Sequence, residues 1–416
     1  VLAPSGKQHL NPGGIWYTPC SGIWQSVWLE PVPATHIAGV HLVPDIDSQQ
    51  LRIRVDVSGP AAGVSVQATA FDGAQQASSA TGQPGSEFSL PVPAPKLWSP
   101  DNPFLYDLRL ALVTPSNTLD SVTSYFGMRK ISLGNHQGFV KMFLNDQFLF
   151  QFGPLDQGYW PDGIYTPPTD LAMRYDLEQS KALGFNLIRK HVKVEPRRWY
   201  YYADKLGLLV WQDMPSMVEG RTISDASKAN FEAELSRMIT THWNHPSIIV
   251  WTVFNEGWGQ YDTVRVVSDV MALDPSRLVN CASGWTFYEV GHLEDSHSYP
   301  NPSCPQNDTR AVVNGEFGGV GLGITNHTWA SGWGYVGATD PADLTARFAS
   351  FCDQLSSLVH NNGLSAAVYT QITDVETELN GLYTYDRKVF KPFLRPMQQA
   401  ITSTYGFYSY TPVVPT

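Results

Sequence analysis

The feature that most constrains this chain is the run Ile248-Ile249-Val250-Trp251-Thr252-Val253-Phe254, which is apolar almost throughout and largely β-branched. It does not alternate, so neither face of a strand built from it can be left to water. Such a strand lies inside a parallel sheet covered on both sides. His245-Pro246-Ser247 leads into it, and Asn255-Glu256-Gly257-Trp258-Gly259 ends it. In a closed barrel of alternating strands and helices, polar residues at the C-terminal ends of the strands carry the chemistry. A second stretch has the same form: Ala311-Val312-Val313-Asn314-Gly315-Glu316, followed by Phe317-Gly318-Gly319. Two strands are therefore expected to deliver one glutamate each, Glu256 and Glu316, to one rim.

A chain of 416 residues exceeds what a single core usually holds. Residues 1–32 include Ile23-Trp24-Gln25-Ser26-Val27-Trp28-Leu29, whose alternation predicts a strand. One or two strands make no stable sheet alone. This segment is therefore expected to be the tail of a larger β-domain, completed by a further segment or a separate chain. Residues 33–131 hold short alternating runs, such as Leu51–Val57, Val64–Ala70 and Leu105–Leu110, between Gly, Pro and Ser turns. That spacing predicts an immunoglobulin-like β-sandwich. From residue 132 to 416, after a hairpin at Asn145-Asp146, strands alternate with helices (Thr169–Leu183, Arg197–Lys205, Ala226–Thr241, Asp262–Met271, Ala342–Val359, Val389–Ile401). About eight such units make a (β/α)8 barrel, with Glu256 ending strand four and Glu316 ending strand seven.

Charge excludes several classes of partner. Lys and Arg number 27 against 38 Asp and Glu, for a net charge of −11, and no basic cluster stands out. Nucleic acid and anionic membrane surfaces are not expected partners, and no apolar run reaches the length of a membrane span. Cys20, Cys281, Cys304 and Cys352 lack metal-ligand spacing; Cys304, in a loop, is the candidate for a bridge. Neither a metal nor an organic cofactor is expected. Two sequons, Asn307-Asp308-Thr309 and Asn326-His327-Thr328, favour an extracellular or secretory location. Aromatic residues reach 12%, which suits clefts that need flat apolar faces with polar edges.

A pair of glutamates at one rim is the equipment of glycoside hydrolysis. One carboxyl protonates the leaving oxygen, and the other attacks the sugar or activates water, depending on their separation. The order of sandwich tail, immunoglobulin-like domain and barrel resembles glycoside hydrolase family 2. Asn255-Glu256 after His245-Pro246-Ser247 is similar to that family's acid/base motif, and Asn314-Gly315-Glu316-Phe317-Gly318 to its nucleophile segment. Phe185-Asn186-Leu187-Ile188-Arg189-Lys190-His191 resembles its strand two and Leu209-Val210-Trp211-Gln212-Asp213 its strand three. Gly22-Ile23-Trp24-Gln25 resembles the end of its sugar-binding domain, so residues 1–32 would be the remnant of that jelly-roll domain.

The resemblance implies roles. Glu256 would be the acid/base, Glu316 the nucleophile, and Asn255 the partner of the sugar 2-OH. Arg189 would hold Glu316 ionised. His191, Asp213, His297 and Tyr299 would bind sugar hydroxyls, and Trp333, with Trp329 in the same Gly-rich loop, would offer a stacking face; Trp160 and Asp162, after strand one, are further candidates. The chain has neither the Asn-x-Lys with which the family's glucuronidases grip a carboxylate nor the Glu-x-His of its metal-dependent galactosidases. The expectation is therefore a retaining exo-β-glycosidase for a neutral, β-galactoside-like sugar. The rival is a non-catalytic carbohydrate-binding or structural part of a larger assembly.

Overall fold

The computed structural model describes residues 3–217, 222–286, 288–306 and 309–405. Asn307 of the first sequon lies outside them. The chain divides into two units: Val1–Gln25 with Ile131–Thr240 and Ser247–Thr416, and Ser26–Lys130 with Thr241–Pro246.

The smaller unit is a two-sheet antiparallel sandwich. One sheet pairs His36–Asp45, Gln50–Ser58 and Phe88–Pro91, and the other runs Gln75–Gly82, Ser65–Asp72, Tyr106–Val113, Thr118–Phe126. Alternation decides which residues face inward. Leu51, Ile53 and Val55 from one sheet, and Val66, Ala68, Ala70, Leu108, Leu110 and Leu112 from the other, are fully or almost fully buried in one cluster.

The larger unit is built on an eight-stranded parallel sheet. In barrel order its strands are one (Gln151–Asp156), two (Leu187–Lys190), three (Leu209–Asp213), four (Ile248–Asn255), five (Leu278–Ser283), six (Leu293–Ser298), seven (Ala311–Gly318) and eight (Ala366–Thr370). Strand eight pairs with both seven and one, and strands five and six lie adjacent without a ladder, so the barrel is nearly closed. Every residue of strand four is buried, as a non-alternating run requires. At Gly153 on strand one, an added Cβ would stand 1.7 Å from the Leu187 carbonyl oxygen, so only glycine lets strands one and two approach this closely.

The helix between strands one and two, Asp170–Leu183, starts at Thr169, whose hydroxyl accepts from the Ala172 amide, and stops at Gly184 with φ 100°. The helix before strand eight, Pro341–Asn361, starts at Asp340, whose carboxylate accepts from the amides of Ala342 and Asp343. The last described helix begins at Leu394 rather than Val389. The Val389 carbonyl accepts from the Thr384 amide, and the Lys391 amide donates to the Leu382 carbonyl, which commits that stretch to a loop pairing. The hairpin at the barrel's base turns at Asn145 and Asp146, both at positive φ, as a two-residue turn demands.

The strand expected over Ile23–Leu29 is not formed. Ile23, Val27, Trp28 and Leu29 are 71–98% exposed, and no ladder reaches them among the described residues. An alternating run becomes a strand only when a neighbour supplies the hydrogen bonds. Residues 3–25 instead lie along the barrel. The amides of Ser5 and Gly6 donate to the Ser216 carbonyl, the Tyr17 amide donates to the Lys7 carbonyl, and Tyr17 is fully buried beside Tyr159 and Tyr165. All four cysteines are unbridged, Cys304 included. No helix among the described residues is long and apolar enough to cross a membrane.

Candidate active site

Strand four ends at Asn255, and the chain turns sharply there. Glu256 takes φ 52° and Gly257 φ 83°, while the Glu256 amide donates to the Ser283 carbonyl. A non-glycine residue at positive φ is uncommon and costs energy that the surrounding structure must offset. Strand seven shifts register between Asn314 and Phe317, and its partner strand six shifts between Ser296 and His297. Such irregularities re-aim side chains. One ligand atom from each of Glu256, His297 and Glu316 lies within 4.8 Å of the others, so both carboxylates reach one point.

Arg189, on strand two and fully buried, organises the floor. Its guanidinium donates to Asp213 at 2.8 Å, to the Asn255 side-chain oxygen at 2.7 Å, to the Gly315 carbonyl at 3.0 Å and to Glu316 at 3.3 Å. Five donors in a fixed fork suit such a role better than a single ammonium would. Asp213 also bonds His191 at 2.9 Å, so its charge is spent on these two neighbours. Burial alone would raise the Asp213 carboxyl, but Arg189 and His191 outweigh it and hold it low. Burial pulls His191 down, against the pull of its Asp213 hydrogen bond. Arg189, Asp213 and His191 thus brace one another at the ends of strands two and three.

Glu316 is held from both sides. The Tyr299 hydroxyl donates to it at 2.6 Å and in turn meets Thr370 at 2.8 Å, and the Tyr299 ring stacks on Tyr335 with centroids 3.7 Å apart. Burial works against ionisation of Glu316, yet the charges of His297, His191, Arg189 and Lys7 bring its carboxyl down to about 2. His297 lies between the two glutamates, with Nδ1 2.7 Å from Glu256 and 3.5 Å from Glu316. Its Nε2 meets the Ser283 hydroxyl at 2.7 Å, and Ser283 donates to Asp295 at 2.5 Å. Burial lowers the His297 imidazole, but Glu316, Glu256 and Asp295 together raise it above its ordinary value. Asp295, fully buried, also accepts from the Gly315 amide at 2.6 Å; a Cβ on Gly315 would stand 2.4 Å from its carboxylate.

Two buried donors at the site stand out. The Asn255 Nδ2 and the Trp333 Nε1 have no partner among the described residues, and such groups are costly unless something completes them. Trp329 is half exposed against Tyr385. Trp160 is buried under the Arg387 guanidinium, 3.8 Å from its ring centroid, which makes it an anchor; Asp162 is exposed. Glu256, His297 and Glu316 are also the set whose atoms are near enough to hold a cation, although His297 Nδ1 is already engaged with Glu256.

Several residues at this site carry no signature in the local sequence. Lys7 and Tyr17 come from the N-terminal segment, and Glu378 comes from the loop after strand eight. The Tyr17 hydroxyl donates to Glu378, and Asn380 donates to it at 3.0 Å. Asp295 and Ser283 were also missed. Ser283 could have been flagged as the last residue of strand five, whereas Asp295 lies inside strand six and carried no such signal.

Comparison with known proteins follows the same outline. The description "Glycosyl hydrolases family 2" matches residues 35–129, and "Glycosyl hydrolases family 2, TIM barrel domain" matches residues 169–305. A putative beta-glucuronidase of Formosa agariphila is 30% identical over 301 residues, 68% of this chain and 28% of its own. A beta-galactosidase of Enterobacter cloacae is 29% identical over 310 residues, 68% of this chain and 29% of its own. The chain thus spans about three-tenths of the length of these two relatives. Among solved structures, a family 2 beta-galacturonidase from Eisenbergiella tayi bound to galacturonate superposes with TM-score 0.72 at 18% identity, over 97% of this chain and 78% of that one. A Parabacteroides merdae beta-glucuronidase gives 0.70 at 18%, over 91% and 53%. At that identity the likeness is one of fold.

Proposed function

This chain belongs to family 2 of the glycosyl hydrolases, and from that premise we propose that it is the catalytic part of a retaining exo-β-glycosidase. Glu316 attacks the anomeric carbon and forms a glycosyl-enzyme. Glu256 protonates the departing oxygen, then takes a proton from the water that releases the sugar. The observation that supports the reading is the spacing: one carboxylate oxygen of each glutamate lies within 4.8 Å of the other's, in keeping with the about 5–5.5 Å between carboxyls of a double displacement rather than the about 6.5–9.5 Å of an inverting pair.

The division of roles follows from how each carboxylate is held. Glu316 is locked by Arg189 and Tyr299 and kept ionised, as a nucleophile must be. Glu256 is gripped by His297 and is the more exposed of the two, side chain 12% against 7%. Asn255, fixed by Arg189 with Nδ2 free, is placed to meet a sugar hydroxyl such as the 2-OH. The non-catalytic alternative finds no support in this arrangement, since a pure binding module has no need of a nucleophile held ionised.

The neutral, galactoside-like sugar expected from the sequence is in keeping with the name of the Enterobacter cloacae relative, whereas the Formosa agariphila name points to a uronide. A secretory location is in keeping with the exposed Asn326 of the second sequon. The test is hydrolysis of a panel of nitrophenyl β-glycosides by the full-length protein, with the first-released anomer read by NMR. Turnover with β-anomer first, abolished in Glu316→Gln, is the expected result; α-anomer first would overturn the double displacement.

A further inference from the structure

We propose that Asp295 and Ser283 are positioning residues for the two glutamates of the site: through hydrogen bonds that run in one direction they hold His297 doubly protonated, as a fixed cation between Glu256 and Glu316. The proposal deepens the glycosidase reading above and rests on it.

The direction of these hydrogen bonds follows from what each group can do. Asp295 accepts from the Gly315 amide at 2.6 Å on one oxygen and from the Asn280 side-chain N–H at 2.7 Å on the other, and neither N–H can accept in return. The Ser283 hydroxyl therefore gives its hydrogen to Asp295, 2.5 Å away, and turns a lone pair toward His297. His297 Nε2, 2.7 Å from that oxygen, carries the hydrogen between them. Arg189 Nη1, 3.5 Å from Nε2, has no lone pair and cannot take it. Burial pushes the Asp295 carboxyl above its ordinary value, while His297, Arg189 and the donors Ser283 and Asn280 pull it down.

The other ring nitrogen faces negative charge. Nδ1 lies 2.7 Å from Glu256 and 3.5 Å from Glu316, and the His297 side chain is fully buried. Two carboxyl groups at that range call for a donor. With Nε2 already protonated, a hydrogen on Nδ1 makes the ring a cation. Glu256 faces it from the exit of strand four, Glu316 from strand seven and Asp295 from strand six, and Arg189 opposes it from strand two. A doubly protonated ring has no lone pair for a metal ion. Gly284, at φ 112°, keeps the contact tight: a Cβ there would stand 3.2 Å from Glu256 Cγ and 3.4 Å from His297 Nδ1.

Such a cation suits a reaction in which one negative charge changes place. Before the first step the charge is on Glu316, and Glu256 is protonated. Glu316 bonds the anomeric carbon, the bond to the leaving oxygen breaks, and that oxygen takes the Glu256 proton, so the charge passes to Glu256. Water then bonds the anomeric carbon, the bond to Glu316 breaks, and the water proton goes to Glu256. His297 keeps both its hydrogens throughout, beside both seats of the charge.

The experiment uses the full-length protein with isotope-labelled histidines. NMR reads the hydrogens on His297, assigned with His297→Gln, and kcat/KM is followed across pH on a nitrophenyl glycoside that the protein cleaves. Both ring nitrogens of His297 should be protonated at neutral pH. In Ser283→Ala and Asp295→Asn the ring should lose its second hydrogen at a pH lower by about one unit, the worth of a charged hydrogen bond. The basic limb of kcat/KM should move down with it, with circular dichroism unchanged. A wild-type His297 carrying a single hydrogen overturns the proposal, as does a loss of activity in both variants that is equal at every pH. If Asp295→Asn does not fold, Ser283→Ala decides alone. If no glycoside is cleaved, the glycosidase reading fails separately, and the NMR titration of wild type and Ser283→Ala still decides what holds His297 charged.

Discussion

Arg189 shows what one side chain contributes here. It ties three strand ends together through Asp213, Asn255 and the Gly315–Glu316 segment, and its charge helps keep Glu316 ionised. The Glu316 carboxyl, at about 2, lies below the value of about 4.3 for an unperturbed glutamate. Its contribution to stability is therefore fully present above about pH 4.3 and lost as pH falls through about 2. The acid limb of kcat/KM should accordingly not report Glu316 titration, and the melting temperature should fall between those two pH values. His297 contributes to the same depression and touches both carboxylates. His297→Gln should lower kcat about 10- to 100-fold, the worth of one charged hydrogen bond, and move the acid limb upward. A pH profile unchanged in shape would show that His297 only fills space.

Among the elements, the N-terminal segment and the barrel strands differ in how they are specified. The segment around Gly6 reaches the site only because glycine tolerates φ 58° and the close Val192 carbonyl. Gly6→Ala should raise KM and leave the barrel's far-UV circular dichroism intact, because the strain falls on a peripheral segment. A barrel helix responds differently. Asp340→Ala removes two hydrogen bonds at the start of Pro341–Asn361 and should cost about 0.5–2 kcal/mol in chemical denaturation, with KM unchanged. A change in KM in that variant would mean the helix positions the site more directly than its distance in sequence implies.

For the whole molecule, two contact units predict departure from a single transition on heating, with a calorimetric enthalpy unequal to the van't Hoff value. A ligand for the barrel site should shift only the transition to which the barrel contributes. Much of this organisation was legible in the sequence. Strand four and its exit at Asn255-Glu256 could be read directly, because a parallel strand buried on both faces must be apolar throughout and its first polar residues mark the rim; Glu316, expected to end strand seven, lies inside it, since that strand runs on to Gly318. The sandwich was equally legible, since alternation and burial are the same fact there. The strand at Ile23–Leu29 misled, because alternation states a preference for pairing and cannot supply the neighbour. Lys7, Tyr17 and Glu378 had no local signature, and neither did the placement of His297 between two carboxylates. Local periodicity follows from the backbone's own geometry and is written into consecutive residues. Which distant side chains meet in the barrel mouth is decided by chain closure, and only the folded barrel brings Lys7 to Trp258 or joins Asp295, Ser283 and His297 to the two glutamates.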